Sequence, residues 1–187
     1  ATILAWTHWL RPEQLGLYAL VIALQDLLHL VGTAWWSQYV LRYGGAPGSD
    51  TRQRLLPTEG FVLVVSGSGQ IALLLLLAVS LLGLKLGMID AIGLATLTFG
   101  RTIMSHWLVR ARAEQRIGLY VSAQILAPGL GLAISLSLFA AGGEALTSAF
   151  AAMAFAHMAV GALLGMKLGC MDLRPRCDRS LLKGAYR

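Results

Sequence analysis

The stretch FVLVVSGSGQIALLLLLAVSLLGL, residues 61–84, contains no Asp, Glu, Lys or Arg and exceeds the roughly 18 residues a helix needs to cross a bilayer. Its only strongly polar side chains are Ser66, Ser68, Gln70 and Ser80, too few to give a helix of this length a solvated face. A strand is excluded by the length of the run, because membrane strands need only about 9–11 residues and alternate in polarity. Lipid is the solvent this segment is built for.

The neighbouring sequence repeats the pattern. With 57% hydrophobic and 13% charged residues and a mean hydropathy of +0.68, the 187-residue chain holds more apolar surface than one soluble core of this size hides. Apolar runs predict helices over 15–41, 61–84, 91–110, 117–141 and 145–171, with residues 1–10 long enough for only part of a sixth. Arg11 to Gln14 break the first run, with Pro12 as punctuation, and residues 42–58, rich in Gly and Pro, read as a loop. Pro128 marks an expected kink in the 117–141 helix. The fold class is thus all-α, a polytopic membrane helix bundle of about six helices over residues 1–171. Residues 172–187 form a basic tail or linker. The partial first helix and the stop after the tail suggest one lobe of a longer protein.

Twelve of the fifteen basic residues fall in the connections after alternate helices or in the tail: Arg42, Arg52, Arg54, Arg110, Arg112, Arg116, Lys167, Arg174, Arg176, Arg179, Lys183 and Arg187. Only Arg11 and Lys85 lie in the opposite connections. Because basic loops stay in the cytoplasm, this asymmetry predicts a multi-pass protein of the cytoplasmic (inner) membrane with its N-terminus and basic tail inside. The same dispersal argues against nucleic acid as a partner, since no single basic face forms. Trp6, Trp9, Trp35, Trp36 and Trp107 lie near predicted helix ends, as interfacial anchors do.

Arg101 is the fifteenth cation and falls within a predicted span, where a guanidinium costs at least roughly 2.5 kcal/mol unless it faces protein, water or a counter-ion. Thr98, Arg101, Thr102 and Ser105 share one face of their helix, and Asp26, His29, Thr33 and Ser37 one face of another. Two such stripes facing each other line an aqueous cavity, to which Gln70, Ser66 and Gln124 add polar groups; interhelical hydrogen bonding is the simpler role for those three. In that cavity Arg101 grips an anionic group, most naturally a phosphate, in a bidentate fork, and Asp26 and His29 are candidates for ion coupling. The competing reading is an Arg101–Asp26 ion pair that only fixes helix packing. Gly161, Gly165 and Gly169 form a small-residue row suited to close helix contact.

No enzyme signature is present: no Gly-rich phosphate loop, no G-x-S-x-G and no acidic cluster. The four histidines are scattered, and Cys170 and Cys177 sit in the cytoplasmic end segment, so neither a metal site, a cofactor site nor a structural disulfide is expected.

The junction Leu10-Arg11-Pro12-Glu13-Gln14-Leu15-Gly16-Leu17-Tyr18-Ala19-Leu20 resembles the "L-x-P-E-x-x-G-x-Y" stretch between the first two helices of polysaccharide flippases, within the multidrug, oligosaccharidyl-lipid and polysaccharide exporter superfamily. The charged turn at 110–120 and the basic stretch at 174–187 are similar to that family's later connections. The resemblance implies a MATE-like lobe of six helices with a partner C-terminal lobe. It further implies alternating access and a polyprenyl-diphosphate-linked oligosaccharide as substrate, with Arg101 suited to the diphosphate. A drug or metabolite antiporter of the same fold and a non-transporting membrane scaffold are the alternatives.

Overall fold

The computed structural model describes residues 6–44, 50–80, 88–170 and 182, the side chains of residues 50–53, 89 and 90 excepted. Among them are five helices: α1 (Pro12–Tyr43), α2 (Asp50–Ser80), α3 (Met88–Ala113), α4 (Ile117–Ala140) and α5 (Ala145–Leu168). The all-α fold class stands, but the described residues hold five helices and not six spans. Of the expected partial helix at 1–10, residues 1–5 lie outside the described residues. Trp6 is helical and residues 7–10 form the turn that follows it, in which the Trp9 and Leu10 amides donate to the Trp6 carbonyl. The expected basic tail at 172–187 lies outside the described residues, Leu182 excepted.

Among the described residues four helices are long and apolar enough to cross a membrane: α1, α2 from Arg54 onward, α4 and α5. Their large apolar side chains point outward, among them Leu30 and Val31 on α1, Leu76 on α2, Ile125 on α4 and Phe155 on α5. The protein is therefore a multi-pass helical membrane bundle. α3 falls short of the composition of a lipid-facing span, and the packing shows why: it touches every other helix and forms the centre of the bundle. Packed against all four, it carries His106 and Arg110 buried in protein, while Arg101 is only partly covered.

Close backbone approach fixes α3 against α5. A Cβ at Gly161 would stand 3.3 Å from Ile103 Cγ2 and 3.5 Å from the Met104 nitrogen, and one at Gly100 would meet Met158 Cγ at 3.0 Å. Small residues here substitute for a hydrophobic driving force that lipid does not supply. Met104, Trp107, Ala111, Ala127, Val160 and Leu164 fill the space beside these contacts. Gly169 has a different role from the packing expected of it. It takes a left-handed φ of 66° and ends α5, its amide donating to Met166 O while Cys170 N reaches Gly165 O.

The boundaries differ most at 42–58, expected to be a loop. Helix α2 begins at Asp50, and Leu55, Thr58, Glu59 and Val62 bury one face at helical spacing. Pro57, one of the residues that give 42–58 its loop-like composition, lies inside the helix. Pro128 likewise lies within α4 without ending it. The tryptophans differ as well. Trp6, Trp36 and Trp107 are buried among other helices instead of standing at a lipid boundary, while Trp9 is exposed.

The helices run alternately up and down. Gly44 at the end of α1 abuts Ala113 at the end of α3, Glu59 early in α2 meets Arg110 late in α3, and Arg116 at the start of α4 reaches the last turn of α5. Arg42, Arg54, Arg110, Arg112, Arg116 and Lys167 therefore gather at one end of the bundle.

Candidate functional site

Two polar clusters interrupt the apolar bundle, both built on α3. The first lies between α3, α1 and α2. Arg101 donates from Nη2 to Asp26 Oδ1 at 2.6 Å and from Nη1 to Gln25 Oε1 at 2.8 Å, so one guanidinium spans two consecutive residues of α1. Gln25 is buried and accepts on the inner side, whereas the Asp26 side chain is 61% exposed and the Arg101 side chain 23%. The pair thus opens onto the surface of the chain at a depth where α1 is otherwise lined by Ala23, Leu27 and Leu30.

Behind it runs a chain of neutral hydrogen bonds. Thr102 donates to Gln70 Oε1 at 3.2 Å, Gln70 Nε2 donates to Ser66 Oγ at 3.3 Å, and Ser66 donates to the Gly32 carbonyl at 3.0 Å. A Cβ on Gly32 would come within 3.1 Å of Ser66 Oγ and 3.2 Å of Gln70 Nε2, so the absent side chain is what lets α2 reach the α1 backbone. His29 stands on the same side of α1, with Thr33 Oγ1 3.1 Å from its Nδ1 and donating to its carbonyl at 2.7 Å.

The two predicted stripes do meet, since Arg101 bonds Asp26, but as directly bonded partners. Thr98 and Thr102 are buried; the Thr98 hydroxyl donates to the Leu94 carbonyl one turn back, and the Thr102 hydroxyl shares its one proton between Gln70 and the Thr98 carbonyl, 2.9 Å away. Ser105 is half-buried one turn beyond Arg101. Gln70 and Ser66 tie helices together, the simpler of their two expected roles. Gln124 is exposed on α4 and bonded to Tyr120, outside the α1–α2–α3 cluster.

The second cluster was not foreseen. Arg110 sits at zero exposure with Nη1 2.7 Å from Glu59 Oε1 and Nε 2.9 Å from Glu114 Oε1. Arg116 Nε stands 3.5 Å from Glu114 Oε2, and its Nη1 donates to the Lys167 carbonyl at 2.8 Å. His106 Nε2 lies 3.8 Å from Glu59 Oε2, too far for a hydrogen bond. Local structure places these groups: α3 ends in a reversal at Gln115 (φ 57°), where Arg116 N donates to Ala111 O, and this turns Glu114 and Arg116 back toward the core. The signal in the sequence was helical spacing, His106 and Arg110 on α3 and Leu55, Thr58, Glu59 and Val62 on α2. It is legible only if α2 is extended back through Pro57.

No family model, curated protein or solved structure matches this chain. The flippase resemblance thus gains no support from a relative, and function has to be read from the two clusters themselves.

Proposed function

We propose that this chain is one lobe of a membrane transporter that moves a polyprenyl-diphosphate-linked saccharide across the cytoplasmic membrane, with Arg101 as the guanidinium that meets the diphosphate. The observation that carries this reading is the partial exposure of the Arg101–Asp26 pair within an apolar span. Charges at such a depth face water or protein and not acyl chains, because each costs at least roughly 2.5 kcal/mol in hydrocarbon. The exposed side of α1 at Asp26 is then the wall of a hydrated route. Phosphate oxygens arriving there replace the Asp26 carboxylate as acceptors for the planar fork, which grips them bidentately. The gathering of basic residues at one end of the bundle supports an orientation with that end in the cytoplasm.

The 2.6 Å Arg101–Asp26 contact also favours a second reading, a fixed clip between α1 and α3 with no ligand. The two are separated by thermal unfolding of the chain in lipid nanodiscs with and without undecaprenyl diphosphate. A ligand that binds the folded state at 100 times its Kd stabilises it by about 2.7 kcal/mol. The transporter reading expects stabilisation of wild type and of Asp26→Asn, whose guanidinium is released from its carboxylate, and none of Arg101→Ala. The clip reading expects no response to ligand in any of them and lowered stability in both variants.

A further inference from the structure

The Glu59 cluster is costly and incompletely satisfied, and both properties bear on what it does. Replacing a buried ion pair by apolar side chains of similar volume is often neutral or stabilising, so stability alone does not account for Glu59 and Arg110 at zero exposure. Glu59 Oε2, Arg110 Nη2 and His106 Nε2 make no hydrogen bond among the described residues. Glu59 thus stands between two partners one helical turn apart on α3, engaged with Arg110 and 3.8 Å from His106. A buried ion pair with an unsatisfied atom on each partner is the kind of contact a switch can exchange.

The connectivity gives the switch its place. Glu59 belongs to α2, Arg110 and Glu114 to the end of α3, Arg116 to the turn before α4, and the Lys167 carbonyl to the last turn of α5. One run of charge-assisted contacts therefore joins four helices at the basic end. From α1 the same region receives Trp36 and Val40, which pack with Leu55 and Val62 and carry no charge. Beside the run lies Cys170, buried to 1% exposure and packed in the cluster that includes Trp107, Ala111 and Leu168.

We propose that the run from Glu59 through Arg110, Glu114 and Arg116 to the Lys167 carbonyl is a latch that closes the basic end of the bundle, holding the α4–α5 hairpin against α2 and α3. Departure of Glu59 from Arg110 releases α2 and departure of Arg116 from Glu114 releases the hairpin, and either opens it. The latch acts whatever the transported substrate is.

Cys170 reports the state of the latch. In a Cys177→Ser background, the chain in lipid nanodiscs is exposed to a membrane-impermeant maleimide and the labelling rate of Cys170 is followed by mass spectrometry. Wild type is expected to label slowly. Glu59→Gln and Arg116→Ala are expected to label about tenfold faster, the change that corresponds to losing ~1.4 kcal/mol of closure. Arg42→Ala, which removes an exposed cation at the same end outside the run, is expected to label at the wild-type rate. Wild-type rates in both Glu59→Gln and Arg116→Ala, or equal acceleration by Arg42→Ala, overturn the proposal. Should Glu59→Gln fail to fold, Arg116→Ala decides alone, because its side chain is 36% exposed and its removal leaves the core intact.

Discussion

Arg110 and Glu59 meet at 2.7 Å with neither side chain exposed, which makes Arg110 the donor to two buried carboxylates, the second being Glu114. Arg101 on the same helix has an equally short contact with Asp26, but its carboxylate partner is largely exposed. The first pair is sealed inside protein and the second opens outward, which is why the two are given different roles.

The shared arginine makes the energetics of the buried cluster asymmetric. Arg110→Met takes the buried cation from Glu59 and leaves Glu114 its contact with Arg116, and breaking a buried pair in this way costs about 3–5 kcal/mol. Glu59→Met leaves Arg110 paired with Glu114 and costs less. The double variant Glu59→Met/Arg110→Met recovers much of the loss. Thermal unfolding of the three variants in one detergent checks this order.

Gln115 adopts φ 57° to reverse the chain after α3, a region in which a residue with a Cβ pays about 1–2 kcal/mol. Gln115→Gly is expected to raise stability by about 1 kcal/mol while keeping the Arg116 N to Ala111 O bond. Unfolding measured under the same conditions as wild type gives the sign.

The link from Thr102 to Gln70 is a neutral bond between two helices of the bundle, and such bonds average about 0.6 kcal/mol with a maximum near ~1.7 kcal/mol. A double-mutant cycle with Thr102→Val and Gln70→Leu is expected to return a coupling energy in that range. A value near zero removes this bond from the forces joining α2 to α3.

Much of the fold was legible because apolar runs longer than a bilayer is thick admit few alternatives, as residues 61–84 illustrate. The start of α2 was not. Pro57 and the flanking charges carry the composition of a loop, and only the burial of Leu55, Thr58 and Glu59 against α3 outweighs it. In the site, the side-chain type and depth of Arg101 and the spacing of Asp26 brought two residues together correctly. Glu59 and Glu114 escaped because a charge close to a predicted helix end reads as solvated, whereas here the reversal at Gln115 and the extension of α2 turn both inward. The tryptophans misled for a related reason: closeness to a helix end does not say whether the ring faces lipid or the next helix.

The alternation of helices places the 114–116 turn and the 141–144 turn at opposite ends of the bundle, and the orientation proposed above puts the basic end inside. In a Cys170→Ala/Cys177→Ser background, Gln115→Cys is expected to react with an impermeant maleimide only after the cell is opened, and Glu144→Cys in intact cells. Reaction of both from one side contradicts the alternation.

Whether Arg101 holds an anionic substrate is tested most directly by transbilayer movement of a polyprenyl-diphosphate-linked oligosaccharide in cells carrying wild type, Arg101→Ala or Arg101→Lys at matched membrane levels. Lysine keeps the charge but not the planar fork, so transport is expected to fall by about tenfold or more in both variants, corresponding to ~1.4 kcal/mol or more. Wild-type transport in both variants contradicts that role and leaves Arg101 and Asp26 as a packing contact between α1 and α3.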